Sequence, residues 1–234
     1  MCGRFVVARA SGDLVAEYDA EQASDALPAP SWNIKPTQVI PVVLESAKGE
    51  GEIVRRLEPA RWSIVPPWAG DLKPKFPTFN ARVETAHEKR TFSAAVKTKR
   101  CIIPADGYYE WVTDADGVKH PHYITPESGE PISFAGLYSW WQDKNEPEDS
   151  PTRWTLTATI LTRAAEGTPI EWIHDRVPVM LTSELRDDWL SPELTGDAAF
   201  LGAVSDAGLQ VVDGLQEFKV APLRGDGPEL VAAV

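Results

Sequence analysis

Apolar residues along this chain recur mostly with a period of two, in short runs separated by turn residues. Between 154 and 162, Trp154, Leu156, Ala158 and Ile160 alternate with polar residues, as in a strand with one buried face. The other segments predicted as strands are 5–7, 38–44, 52–65, 100–104, 107–113, 118–124, 132–140, 177–181 and two weak ones within 208–222. Many short strands without a βαβ rhythm predict an α+β fold, built on a curled, largely antiparallel, barrel-like sheet with a few peripheral helices.

Helical patterns are few and short. Residues 11–18 have apolar positions on one helical face, and a Thr-x-x-Glu capping box at 85 predicts a helix to about residue 96. A Thr-Pro-Ile-Glu segment at 168–171 predicts a short helix that ends just before His174. Pro41 interrupts the run 38–44 and predicts that this strand lies at a sheet edge.

Residues 66–77 form a long stretch rich in proline and lysine, which predicts an irregular loop. Loops of this length inside a compact domain are often functional. We expect a single domain over 1–222, followed by a loose tail at 223–234.

Composition and charge narrow the class of protein. The chain has 234 residues, with 43% hydrophobic and 25% charged residues, as in soluble globular proteins. It shows no membrane-length apolar run and no signal-peptide pattern, so we expect a cytoplasmic protein, associated with the nucleoid if bacterial. The net charge of -12 argues against general nucleic-acid binding. However, residues 1–100 carry 15 Lys and Arg against 12 Asp and Glu, which allows a locally basic face.

The N-terminus carries the most reactive group in the sequence. If Met1 is removed, Cys2 presents a thiol and a free α-amine on one carbon skeleton, and both are partly deprotonated near neutral pH. Such an aminothiol condenses with an aldehyde and closes to a thiazolidine. Gly3 allows a tight bend beside it, and Arg4 adds a permanent cation. Taken alone, a Met-Cys start also fits a frayed terminus.

Three further residues are candidates for chemistry. Asn80 can orient a carbonyl or hydroxyl with both ends of its amide, although a turn asparagine fits equally well. Glu110 lies among aromatic residues, where desolvation should raise its pKa and suit it to acid–base work. His174 is the best-placed histidine for proton transfer.

Other reactive residues fit ordinary roles. His120 and His122 lack further clustered ligands, so we expect no metal site and no cofactor. Cys101 opens an apolar strand and resembles a small buried hydrophobe.

Six segments in a fixed order resemble one known family. They are Met-Cys-Gly-Arg-Phe at 1–5, Asn-Ile-Lys-Pro-Thr at 33–37, Trp62 to Trp68, Asn-Ala-Arg-Val-Glu-Thr at 80–85, Arg-Cys-Ile-Ile-Pro-Ala-Asp-Gly-Tyr-Tyr-Glu-Trp at 100–111 and Ile-His-Asp-Arg-Val-Pro-Val at 173–179. The set resembles the SRAP family, the SOS-response-associated peptidases that are also described as abasic-site processing proteins. Lys35 and Val177 stand where a small residue and a methionine are common in that family.

The resemblance implies a DNA-damage function. It implies capture of abasic sites in single-stranded DNA, as a covalent thiazolidine between the sugar aldehyde and the processed Cys2. By the same resemblance, Asn80 positions the amine or sugar, Glu110 shuttles protons, and His174 assists opening of the sugar ring. It also implies a β-lyase side reaction at the Schiff base.

Four residues are expected to bind the DNA. Arg4, Arg82 and Arg176 each lie next to a proposed catalytic residue and are predicted phosphate ligands. Trp68 is predicted to stack on a base, with core packing as its alternative. We expect a monomer that binds single-stranded DNA.

Two other functions fit the sequence. A thiol-dependent peptidase or amidohydrolase would use Cys2 with His174, including self-removal of Met1, but no separate oxyanion motif is visible. A non-enzymatic module that binds single-stranded DNA or a partner would not need Cys2.

Overall fold

Strands make up most of the regular structure, and the helices are short. A computed structural model describes residues 2–48, 51–73 and 75–234. The strands are β1 (Phe5–Val7), β2 (Glu21–Gln22), β3 (Ser31–Ile34), β4 (Val39–Lys48), β5 (Glu52–Trp62), β6 (Asn80–Arg82), β7 (Arg100–Ala105), β8 (Gly107–Thr113), β9 (Lys119–Pro126), β10 (Ile132–Gln142), β11 (Trp154–Ala164), β12 (Arg176–Pro178) and β13 (Leu215–Lys219). The α-helices are α1 (Ser11–Tyr18), α2 (Val83–Ala86), α3 (Ser93–Thr98), α4 (Arg186–Leu190), α5 (Ala198–Ala207) and α6 (Leu209–Asp213). Short 3-10 turns lie at Ser183–Leu185 and Pro228–Val231.

The larger sheet curls into a closed barrel. Its order is β12-β11-β10-β7-β4-β5-β2, and a parallel pairing of β5 with β11 joins the two sides into a five-stranded ring. Closure removes exposed strand edges. A second, antiparallel sheet has the order β13-β9-β8-β1-β3. The predicted α+β fold, a single domain with a barrel-like sheet, is therefore confirmed.

Aromatic residues fill the space where the two sheets meet. The Phe5 ring lies edge-on to Trp62, with centroids 4.8 Å apart, and Phe134 packs against both Phe5 and Tyr108. The Trp62 indole donates to the backbone oxygen of Phe79 at 2.8 Å. This packing fixes β1 and β8, which carry the candidate site, against the barrel.

Tertiary packing overrides some local patterns. The helix predicted over 85–96 is two helices, because α2 packs against α5 whereas α3 packs against β7 and β10. The strand β4 pairs with β5 along its length and with β7 at Val43 and Leu44, so it does not lie at a sheet edge. Pro41 lies outside the segment paired with β7, where its missing N–H interrupts no bond to that strand.

The C-terminal residues fold back onto the second sheet. The Asp226 carboxylate accepts hydrogen bonds from the Ser31 hydroxyl and the Trp32 amide, at 2.8 and 2.6 Å. Leu230 is buried, and Val220 bridges to Ala233. The segment 223–234, predicted to be a loose tail, is instead packed, because its polar and apolar groups both find partners. Among the described residues, no helix has the length and apolar character needed to cross a membrane.

Candidate active site

Strand pairing brings Cys2 beside Glu110. The strand β1 pairs antiparallel with β8, with Phe5 opposite Tyr108. Just before β1, the backbone oxygen of Arg4 accepts from the Tyr109 amide at 2.9 Å. The N-terminal segment therefore runs along the part of β8 that carries Glu110. Cys2 is fully buried there.

Asn80 holds the backbone of Cys2 from the barrel side. It is the first residue of β6, which pairs with β11 and is fixed by that strand. Its Nδ2 donates to the Cys2 carbonyl oxygen at 2.7 Å. Its Oδ1 is buried and has no hydrogen-bond partner within the described chain. The amide thus anchors Cys2 and directs an acceptor into the site.

Glu110 is a buried carboxyl group, as the sequence predicts, with only 4% of its surface exposed. Burial raises the pKa of Glu110, and the charge of His174 acts in the opposite direction. A carboxyl group with a raised pKa exchanges protons closer to neutral pH than a solvated one. Glu110 therefore has the properties of an acid–base group.

His174 lies in a turn between β11 and β12 rather than after a helix. Residues 168–171 form turns, because the Glu171 carboxylate accepts from the Gly167 amide at 2.6 Å and so ties the segment into a loop. The His174 Nδ1 lies 2.8 Å from Asp175 Oδ1 and 2.9 Å from the Arg176 backbone nitrogen. These contacts hold one edge of the ring against its own loop and fix its orientation.

The thiol of Cys2 is neutral at rest. Burial, and then the negative charge of Glu110, raise the pKa of the Cys2 thiol well above its usual range. The sulfur lies 3.8 Å from the Arg4 carbonyl oxygen, towards which it donates. A neutral thiol is a weak nucleophile, so a partner must take its proton during any reaction.

Arg4 and Arg82 flank the buried group. Arg4 donates to Asn33 Oδ1 at 2.6 Å, and its guanidinium carbon lies 6.0 Å from the centroid of the Trp111 ring. Arg82 ends β6, two residues after Asn80, and its side chain is exposed. Each of these cations lies two residues after a candidate residue, Cys2 or Asn80.

Arg176 differs from these two arginines. Its guanidinium donates to both carboxylate oxygens of Glu84, at 2.7 and 2.8 Å, and to the Thr162 carbonyl at 2.6 Å. The residue is only 8% exposed. These contacts join β12 to β11 and α2, so they give Arg176 a structural role.

The loop at 66–77 carries aromatic and basic side chains next to the site. Trp68 is 55% exposed, and the guanidinium of Arg90 lies 4.4 Å above its ring. Phe76 is 77% exposed. Lys73 and Lys75 line grooves on both sides of it. Trp68 was predicted to stack on a base, whereas Lys73, Lys75 and Phe76 were not predicted, although a Lys-x-Lys-Phe segment in a proline-rich loop is a signal for nucleic-acid contact.

Arg61 faces one of these grooves, a cavity of about 390 Å³ that reaches Phe79, the residue before Asn80. Burial lowers the pKa of Arg61. Its guanidinium donates to the Ser63 carbonyl, a neutral acceptor, at 3.2 Å. An arginine that donates to a neutral acceptor keeps its positive charge available to bind an anion.

The opposite side of the site is acidic. A cavity of about 500 Å³ is lined by Glu166, Glu171, Asp175 and the half-exposed Trp172. Negative charge here disfavours phosphate. The surface around the site is therefore basic towards the 66–77 loop and acidic towards the His174 turn.

His120 and His122 bind separate carboxylates rather than a common centre. His120 Nε2 lies 2.7 Å from Asp114, and His122 Nδ1 lies 2.6 Å from Glu217. In the part of the chain that the structure describes, no three potential ligands converge on one point.

The fold and site define a barrel protein in which a near-terminal cysteine is buried beside an amide, a carboxyl group and a histidine. The family model for SOS response associated peptidase (SRAP) matches residues 1–214. The chain belongs to this family.

Two of the named relatives are bacterial proteins. The chain is 35% identical to abasic site processing protein YoqW of Bacillus subtilis over 236 residues, which covers 99% of each protein. It is 31% identical to abasic site processing protein YedK of Escherichia coli, over 85% of this chain and 83% of the relative. A crystal structure of a Bacteroides thetaiotaomicron protein matches with a TM-score of 0.79, covers 100% of both chains and is 21% identical. This last likeness concerns the fold.

Proposed function

We propose that this protein processes abasic sites in DNA by capturing the ring-opened sugar aldehyde as a covalent thiazolidine on Cys2. The names of its relatives support the abasic-site role. The observation that carries the covalent step is the burial of Cys2 beside Glu110, with its backbone anchored by Asn80. The proposal requires removal of Met1, which lies outside the described residues.

The first step is attack of the Cys2 α-amine on the aldehyde carbon. The carbinolamine then loses water and becomes a Schiff base. Glu110, whose burial raises its pKa, donates the proton that makes hydroxide leave as water. We assign to His174 the proton transfer that opens the sugar ring, and to Asn80 the orientation of the amine or a sugar oxygen through its buried Oδ1.

The second step closes the ring. The Cys2 sulfur attacks the imine carbon, the carbon–sulfur bond forms, and the π electrons move to nitrogen. The thiol proton passes to the Glu110 carboxylate, while the nitrogen keeps the proton of the protonated Schiff base, so the thiazolidine is neutral overall and Glu110 is ready to act again. Strand cleavage from the Schiff base, a β-lyase reaction, would be a side reaction of the same intermediate.

The DNA strand is proposed to follow the basic side of the surface. Trp68 and Phe76 offer exposed rings for base stacking, while Lys73, Lys75 and Arg61 offer positive charge for phosphates. Arg4 and Arg82 each follow a candidate residue, Cys2 or Asn80, by two positions and are proposed to bind the phosphates that flank the abasic sugar. We assign single-stranded DNA because a duplex stacks and pairs the bases that these rings would contact. The proposal places the protein with cytoplasmic or nucleoid DNA, as a monomer.

The peptidase alternative has weaker support. A Cys–His peptidase needs a thiol with a lowered pKa, whereas burial raises the pKa of Cys2. Self-removal of Met1 is the one hydrolytic step that the proposal retains.

The deciding experiment uses a single-stranded oligonucleotide with one abasic site, analysed on a denaturing gel. We expect a slowly migrating band with the protein and with a Cys101→Ala control, since Cys101 lies in the core. Cys2→Ala should give no stable band. Cys2→Ser keeps the amine and should give a band only after borohydride reduction. A stable band with Cys2→Ala, or with an unmodified oligonucleotide, would contradict the mechanism.

A further inference from the structure

The candidate site contains a buried polar group, the hydroxyl of Tyr108, that the proposed mechanism does not use. The Tyr108 hydroxyl is fully buried and has no hydrogen-bond partner among residues 2–48, 51–73 and 75–234. A buried hydroxyl without a partner is unfavourable. In native proteins such groups often mark a state of the site in which a partner is present.

Strand geometry places the Tyr108 hydroxyl on the same side of β8 as Glu110. Tyr108 lies two positions before Glu110 on β8, so both side chains project from the same face of the strand. Tyr108 also lies opposite Phe5 on β1, and Phe5 follows Cys2 by three residues. Tyr108 and Cys2 belong to the same buried cluster. The charges that Cys2 and Glu110 would carry add to burial in raising the pKa of Tyr108. The hydroxyl thus lies within electrostatic range of both.

We propose that Tyr108 is a positioning residue for the Cys2 sulfur, and that its hydroxyl donates a hydrogen bond to that sulfur as it becomes a thiolate. This inference rests on the proposed function and deepens it. In the structure, the neutral thiol donates towards the Arg4 carbonyl at 3.8 Å. A thiolate has no proton to donate and is repelled by that oxygen. The Cys2 thiolate therefore needs a hydrogen-bond donor. Rotation of the Cys2 side chain towards Tyr108 supplies the hydroxyl of that residue as the donor.

The hydroxyl donates without giving up its proton. Its raised pKa keeps Tyr108 protonated throughout, so the thiol proton still goes to the Glu110 carboxylate. Among residues 2–48, 51–73 and 75–234, the titratable groups of other residues that act on Cys2 directly are Glu110 and Tyr108 from β8. His174 and Asp175, from the turn before β12, act on Cys2 through Glu110.

The first test measures the thiol without DNA. The processed N-terminus is confirmed by mass spectrometry, and alkylation of Cys2 by iodoacetamide is followed across pH in the N-terminal peptide. Tyr108→Phe should lower the alkylation rate of Cys2 about tenfold at each alkaline pH below the pKa of the thiol, the size of one hydrogen bond to a charged group. The matched control is Tyr109→Phe, because the Tyr109 hydroxyl donates to the Trp32 carbonyl and belongs to a separate buried cluster. Coincident profiles for Tyr108→Phe and the unmodified protein would overturn the inference.

The second test separates the two chemical steps. With the abasic oligonucleotide, Tyr108→Phe should form borohydride-trapped imine at the normal rate but close the thiazolidine about tenfold more slowly. An equal loss in both steps would indicate general damage to the site and overturn the positioning role. If the unmodified protein forms neither imine nor thiazolidine while the alkylation profile still shifts, the proposed function fails and the contact between Tyr108 and sulfur stands.

Discussion

Substituting Glu110 by glutamine should stabilise the protein at neutral pH. Burial raises the pKa of Glu110 above its ordinary value of 4.5. At pH values between the pKa of Glu110 in the unfolded chain and its higher pKa in the folded protein, the folded state therefore binds more protons than the unfolded state. Under proton linkage, the free energy of unfolding then falls as pH rises from about 4.5 through the folded-state pKa. Glutamine does not ionise, so the free energy of unfolding of the variant does not fall with pH for this reason.

The size of the effect follows from the pKa difference. Each unit by which the folded-state pKa exceeds the unfolded value destabilises the protein at neutral pH by about 1.4 kcal/mol. For a domain of this size, each such unit corresponds to about 3–6 °C in the melting temperature. The variant should also capture abasic sites more slowly, since it can no longer exchange protons with the carbinolamine.

Glu84 provides a control of opposite sign. Burial acts to raise the pKa of Glu84, but hydrogen bonds from Arg176 outweigh it and lower the net value. Glu84→Gln should therefore destabilise the protein at neutral pH. That difference should disappear as pH falls through the lowered pKa. Because 46% of the Glu84 side chain is exposed, solvent screening makes this change the smaller one.

The assay is chemical denaturation of the unmodified protein and both variants at several values from pH 4 to pH 8. The two difference curves should have opposite signs at pH 7. A Glu110→Gln variant that is less stable than the parent at pH 7, with a difference that shrinks towards pH 4, would refute the reasoning. It would mean that the folded protein favours the charged carboxylate at position 110.

Three other predictions concern neighbouring contacts. Asn80→Ala removes the hydrogen bond to the Cys2 backbone and should slow crosslinking about tenfold, measured as band intensity against time. The double change Lys73→Gln and Lys75→Gln should lower the slope of log affinity against log salt by about 1.4, measured by fluorescence anisotropy with a single-stranded oligonucleotide. Tyr108→Phe should leave the melting temperature unchanged or higher, whereas Tyr109→Phe loses a backbone hydrogen bond and should melt about 2–4 °C lower by calorimetry.

The barrel was predictable because its strands carry strong local patterns. Alternation in the segment 154–162 and the apolar runs around 100–113 each point to a strand without knowledge of its partner. The environment of Glu110 was predictable for a similar reason, since its aromatic neighbours in the sequence already indicate desolvation. Register was not predictable. The parallel contact between β5 and β11 that closes the barrel depends on two segments about 95 residues apart.

The errors share one physical cause, which is a partner distant in sequence. The Thr-Pro-Ile-Glu segment at 168–171 is a good helix start, but the Glu171 side chain binds the Gly167 amide instead. The tail at 223–234 is short and shows no regular pattern, yet Asp226 finds donors near residue 31. The same kind of distant partner was missed at Arg176, which pairs with Glu84, 92 residues away, while its binding of phosphate stays a prediction.

Burial also explains why the two proposed nucleophiles of Cys2 should act in a fixed order. The pKa values of the Cys2 thiol and Glu110 are both raised, so the pocket favours neutral groups. At neutral pH the thiol is therefore protonated and a weak nucleophile until the amine has condensed with the aldehyde. A protonated Schiff base then brings a positive charge into a site of low dielectric, where it favours both the Glu110 carboxylate and a Cys2 thiolate. The charge created in the first step thus activates the nucleophile of the second, at the moment when its target carbon lies beside it.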